Sequence, residues 1–136
     1  MEAPEPSRLG MMRVVIADAG PRIGLARIGC LDLLLALFGG VTLNPGVDPG
    51  ERSTIALALH WRAAGEKVLV IMDDRCGRAE ARSRGLSILG TAAVLVLAKE
   101  QRLIPACAPL LVALREEGYY LSDGLVAAVL AAVGEA

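Results

Sequence analysis

Apolar positions along this chain follow two rhythms. Residues 14–17 (VVIA) and 68–72 (VLVIM) are β-branched and aliphatic with no polar alternation. That pattern predicts strands over 13–18 and 67–73 that are buried on both faces, as in a parallel sheet. Between and after them the apolar residues recur at helical spacing. Pro21 suits the first turn of a helix that Gly29 ends, and 31–38 (LDLLLALF) predicts a second helix closed by Gly39-Gly40. A short strand is expected at 41–43, then a turn-rich NPGVDPG, then a helix over 51–64 with Ile55, Ala58, Leu59 and Arg62 at helical spacing. A polar helix over 75–84, a strand over 86–89 and helices over 91–101, 105–117 and 122–133 complete the set. The order βααβαβαβ followed by helices predicts an α/β sandwich around a short parallel sheet. One domain is expected over 13–136, behind a disordered leader over 1–12 in which Met11 or Met12 offers an alternative start.

Composition narrows the chemistry. A chain of 136 residues can bury a core without disulfide or metal staples. It is 54% hydrophobic yet carries only four aromatics, Phe38, Trp61, Tyr119 and Tyr120, so the core is expected to be aliphatic. A formal net charge of −1 gives no global field toward nucleic acid or membrane, and any nucleic-acid contact has to be local. Cys30, Cys76 and Cys107 form no CxxC or Cys/His spacing, and His60 is the only histidine. A structural zinc site is therefore not expected, and the cysteines read as reduced, mostly buried thiols. The opening MEAPEPSRLG lacks the pattern of a secretory signal, and the longest uncharged apolar run, 86–98, is shorter than the roughly 20 residues a membrane span needs. A cytoplasmic protein with no membrane partner is the expectation.

Both apolar strands stop on carboxylates: Asp18 after the first, Asp73-Asp74 after the second. In open α/β sheets, ligands collect in the crevice beyond the carboxyl ends of the strands, so these acids could build an acidic, metal-attracting pocket there. Clustered carboxylates repel one another, which itself favours a cation. Quieter roles compete. Asp48-Pro49-Gly50-Glu51 reads as a helix N-cap with a capping-box glutamate, Asp74 as a cap for the helix beginning at Arg75, and Asp123 as part of a helix N-terminus after Ser122. Asp18 and Asp73 are harder to explain as scaffolding. Arg75, Arg78 and Arg82 share one helix face, which could meet phosphates or be a solvated face balanced by Glu80. His60 and Trp61 read as surface and packing residues, and no GxGxxG follows a strand.

Several segments together resemble a known family: Asp18 with PRIGLARIGCLDLLLALFGGV, then GERSTIALAL, VLVIMDDRCGR, GLSILGTAAVLVLAKEQRLIP and PLLVALREEGYYLSD. From about Arg13 to the C-terminus the chain is similar to PIN-domain proteins, in particular a VapC-like subfamily described as nucleic-acid-binding. The resemblance implies a three-layer α/β/α sandwich and a single-strand endoribonuclease dependent on Mg²⁺ or Mn²⁺, with RNA as substrate and, for toxins of the VapC type, an antitoxin as partner. Carried over residue by residue, it implies Asp18, Glu51 and Asp73 as catalytic acids and metal ligands, with Asp74 beside them. The arginines Arg75, Arg78 and Arg82 would face the RNA. The chain departs from the family pattern at Ala19-Gly20, where Thr-Ser is usual. It departs again after the second strand, where VTLNPGV runs almost directly into DPGE and a helix-borne acid has no counterpart. A catalytically inactive PIN-like interaction module is the alternative expectation. The aliphatic LVAAVLAAV near the C-terminus suggests a homodimer or a partner groove.

Overall fold

Short parallel strands carry the fold. The computed structural model describes residues 14–39, 42–43 and 51–136, with backbone alone for 42–43 and 51–53. The elements run β1 (Val14–Ala17), α1 (Ala19–Arg27), α2 (Asp32–Phe38), β2 (Thr42–Leu43), α3 (Glu51–Ala63), β3 (Val68–Ile71), α4 (Arg75–Ser83), β4 (Ser87–Leu89), α5 (Thr91–Glu100), α6 (Ala108–Glu116) and α7 (Asp123–Ala132). The strands lie in the order β2-β1-β3-β4, every neighbour parallel. This is the α/β architecture the hydrophobic rhythm predicts. The expected leader and most of the turn-rich segment, with Asp48 of the expected capping box, lie outside the described residues.

The two central strands are buried on both faces because helices cover both. Val15, Ala17, Leu69 and Ile71 pack with Leu25, Leu34, Leu95, Leu111, Leu114 and Val129, drawn from α1, α2, α5, α6 and α7. The alternate residues Val14, Ile16, Val68, Val70 and Met72 pack with Ile55, Ala58, Ala81 and Leu86, drawn from α3, α4 and the chain leading into β4. The period-2 alternation of a strand divides one continuous apolar run between two cores. No aromatic side chain is among the fully buried ones, as the composition implied.

Cys107 is buried, its thiol donating to the Leu95 carbonyl at 3.4 Å, and Cys30 is partly buried. Cys76 corrects the expectation of mostly buried thiols in part: it is exposed in the first turn of α4. His60 and Trp61 touch edge to face with ring centroids 5.6 Å apart, a packing contact. No described helix is long and apolar enough to cross a membrane.

Helix ends reveal two local energetic features. Gly65 and Gly85 adopt left-handed φ of 92° and 74° after α3 and α4, a conformation glycine reaches without steric cost. Arg102 does the same job after α5 with φ 62°, where a side chain costs roughly 1–2 kcal/mol. Arg102→Gly gives some of that back as extra unfolded-chain entropy, about 0.4–1 kcal/mol. The net expectation is a stabilisation of up to about 1 kcal/mol, read as a higher urea midpoint with an unchanged slope.

The start of α6 is capped from the far end of the sequence. Its N-cap residue Cys107 makes no side-chain cap. Instead the Glu135 carboxylate accepts from the Cys107 and Ala108 amides at 2.8 and 2.9 Å and pairs with Lys99 Nζ at 2.8 Å. The Cys107 amide first, then Lys99 and the Ala108 amide, hold its pKa down from 4.5 to about 2. A carboxyl depressed in the folded state stabilises fully above its unfolded value and loses that contribution as pH falls toward about 2. Glu135→Gln is therefore expected to lower the neutral-pH melting temperature and to flatten its decline between about pH 4.5 and 2, as followed by circular dichroism.

Candidate functional site at the sheet switch point

The chain leaves β1 toward β2 on one side, then crosses back to place β3 on the other side of β1. The carboxyl ends of β1 and β3 therefore flank the point where the winding reverses, the place where open α/β sheets form a ligand crevice. Asp18 follows β1 directly, its amide donating to Ile71 O at 2.9 Å and so extending the ladder by one residue. Asp73 lies two residues past the end of β3, after Met72, whose amide bonds Leu89 O at 2.9 Å. Both aspartates thus follow the carboxyl ends of adjacent strands at the switch point, Asp18 level with Met72 in the register and Asp73 one residue further on.

Asp18 is 8% exposed. It stands at the N-cap position of α1 without capping it; its Oδ1 accepts instead from the buried Thr54 hydroxyl of α3 at 2.6 Å. Thr54 is the only described group donating to its side chain, so its second oxygen has no donor among the described residues. Asp73 is far more engaged. Its Oδ1 accepts the Thr91 amide at 2.8 Å, and its Oδ2 accepts the Thr91 hydroxyl at 2.5 Å and the Tyr119 hydroxyl. It thereby caps α5, whose own N-cap, Gly90, has no side chain. This is a structural role that strand-end position alone did not reveal. Gly90 is required by close approach, since a Cβ there would lie 2.8 Å from Asp73 Oδ1 and 3.1 Å from Arg78 Nη1.

Tyr119 comes from the turn after α6, far along the chain. Its ring lies against Gly24 of α1 and its hydroxyl lies near Gly20, one helical turn earlier. Burial foremost, and then the hydrogen bond to Asp73, push its phenol well above the ordinary value. The bond to Thr91 opposes the shift, while the charges of Asp73 and Asp18 add to it. The hydroxyl therefore keeps its proton and feels both carboxylates.

The remaining candidates are less concentrated. Asp74 is exposed and accepts the Gly77 amide at 2.7 Å, the cap of α4 that its position suggested. Glu51 is the first residue of α3, and its side chain lies outside the described residues. Arg75 and Arg82 are exposed, whereas Arg78 turns inward to donate to Met72 O at 3.0 Å. The three arginines do not form one solvated face, and Glu80 pairs with Arg84 at 2.9 Å instead. Thr54, Thr91 and Tyr119 escaped the sequence reading. The two threonines had a signal, as polar residues at buried helical positions, but Tyr119 had none.

A divalent cation suits the donors at the crevice in kind. Asp18 is a buried carboxylate with an oxygen lacking any described donor, and Mg²⁺ takes one or two carboxylates while keeping several waters. Among the described residues no group of three or more His, Cys, Asp or Glu could hold a metal, so the described acids amount to a pair.

The PIN-domain family model DUF3368 matches residues 42–135, from β2 to the end of the described fold. That span includes Asp73, Asp74, Thr91 and Tyr119 and leaves out β1 with Asp18. No curated protein and no solved structure matches the chain. With more than half its length covered by that model and its strands arranged as described, the chain belongs to the PIN-domain family.

Proposed function

We propose that this PIN domain is a divalent-metal-dependent endoribonuclease with its site at the β1–β3 switch point. The observation that carries the reading is the placement of Asp18 and Asp73 just past the carboxyl ends of adjacent central strands, where the winding reverses. These two would hold Mg²⁺ or Mn²⁺, with Glu51 at the start of α3 as the third acid. When bound, the ion supplies a more acidic water and neutralises charge at a scissile phosphate. The chain's own groups do the positioning. Thr54 fixes Asp18, Thr91 fixes Asp73, and Arg78 braces the end of β3 through Met72 O. Exposed Arg75 and Arg82 are free to contact phosphates of an approaching strand, where arginine offers bidentate donors. RNA as the substrate follows from family resemblance, as does a VapC-type role with an antitoxin as restraining partner.

One observation favours a second reading, a non-catalytic interaction module. Asp73 is already satisfied by three protein donors, as a purely structural cap would be. The two separate in a cleavage assay on end-labelled unstructured RNA with Mn²⁺ and with EDTA. Internal cuts that appear only with metal support the nuclease. Intact RNA at high protein and Mn²⁺ supports the module.

A further inference from the structure

We propose that the Tyr119 hydroxyl is a built-in stand-in for the cation, which metal has to displace from Asp73. The proposal rests on the crevice being a cation site. An ionised carboxylate offers about four lone-pair positions. On Asp73, Thr91 takes two of them, one on each oxygen, and Tyr119 takes a third on Oδ2. Gly90 lies against Oδ1, since a Cβ there would be 2.8 Å from it.

The donors differ in how easily they leave. Thr91 is fully buried and begins α5, so withdrawing it disturbs the first turn of that helix. Tyr119 is partly buried, on a turn between Gly118, with φ 89°, and Tyr120, which is 84% exposed. Its hydroxyl also lies toward the start of α1, 3.7 Å from where a Cβ of Gly20 would stand, two residues after Asp18. A hydroxyl proton there offsets part of the Asp73 charge in the metal-free protein. The cost is a weaker affinity for the ion. Gly24 completes the device, because a side chain there would collide with the ring.

Tyr119→Phe keeps the ring over Gly24 and removes only the competing hydroxyl. Titration calorimetry with MnCl₂ is expected to show binding tighter by on the order of ten-fold, since hydrogen bonds to charged groups are among the stronger ones. A merely structural hydroxyl would leave binding unchanged or weaken it. Unchanged or weaker binding in the variant, with the parent still binding, overturns the role of Tyr119 and leaves the cation site standing. Absence of binding in both overturns the cation site and this inference with it. A second measurement needs no variant fold: a MgCl₂ titration of the parent protein labelled with ¹³C at the tyrosine ζ carbons. The partly buried phenol resonance of Tyr119 is expected to move on saturation while that of exposed Tyr120 stays, and a stationary Tyr119 resonance contradicts displacement.

Discussion

Asp18→Asn is expected to abolish Mn²⁺ binding and to slow metal-dependent RNA cleavage by roughly a hundred-fold or more. A metal supplies several kcal/mol of charge stabilisation in such reactions, and each 1.36 kcal/mol is a factor of ten in rate. The same substitution is expected to leave the EDTA-treated protein as stable as the parent, or more so. The amide oxygen of asparagine still accepts from Thr54, while a buried carboxylate with no described donor on one oxygen is replaced by a neutral group. A melt in EDTA beside a cleavage time course reads both effects. A variant that melts far lower than the parent would make Asp18 a structural residue. Undiminished cleavage would remove it from the list of ligands.

Gly24→Ala is expected to destabilise the protein by about 1–3 kcal/mol, the range for overpacking a core contact. This runs against local propensity, since alanine is favoured over glycine inside a helix by roughly 0.5–1 kcal/mol. The reason is specific: a Cβ at Gly24 would lie 2.8 and 2.9 Å from two ring atoms of Tyr119 and 3.4 Å from Leu114. The ring has to move, and its hydroxyl then leaves Asp73. Urea unfolding measures the loss. Replacing Tyr119 by leucine in the same background is expected to restore part of it. An alanine variant as stable as the parent would mean the ring is not seated on α1 as described.

Much of the scaffold was legible because strand burial leaves a simple mark. Apolar runs without alternation gave β1 and β3, and the glycines after α3 and α4 closed those helices where a left-handed residue is needed. The same rule about strand ends brought out Asp18 and Asp73 before any geometry was known. What stayed hidden were partners contributed from afar. Tyr119 meets Asp73 across 46 positions and Thr54 meets Asp18 across 36, distances over which no periodicity carries information. Arg78 was misread for a related reason: helical spacing shows which face a residue shares, not that a carbonyl at the end of β3 will draw its guanidinium inward. Asp73 was half read, since its cap on α5 depends on where β4 delivers Gly90 and Thr91. Glu135 belongs to the same class, capping α6 from beyond α7.

The most direct test of a cation site at the switch point is a crystal soaked in Mn²⁺ and measured for anomalous scattering. A peak at the carboxyl ends of β1 and β3, with the Tyr119 hydroxyl withdrawn from Asp73, is the expected result. A map without such a peak at saturating Mn²⁺, with Tyr119 still bonded to Asp73, would contradict it and leave the crevice as a structural cap.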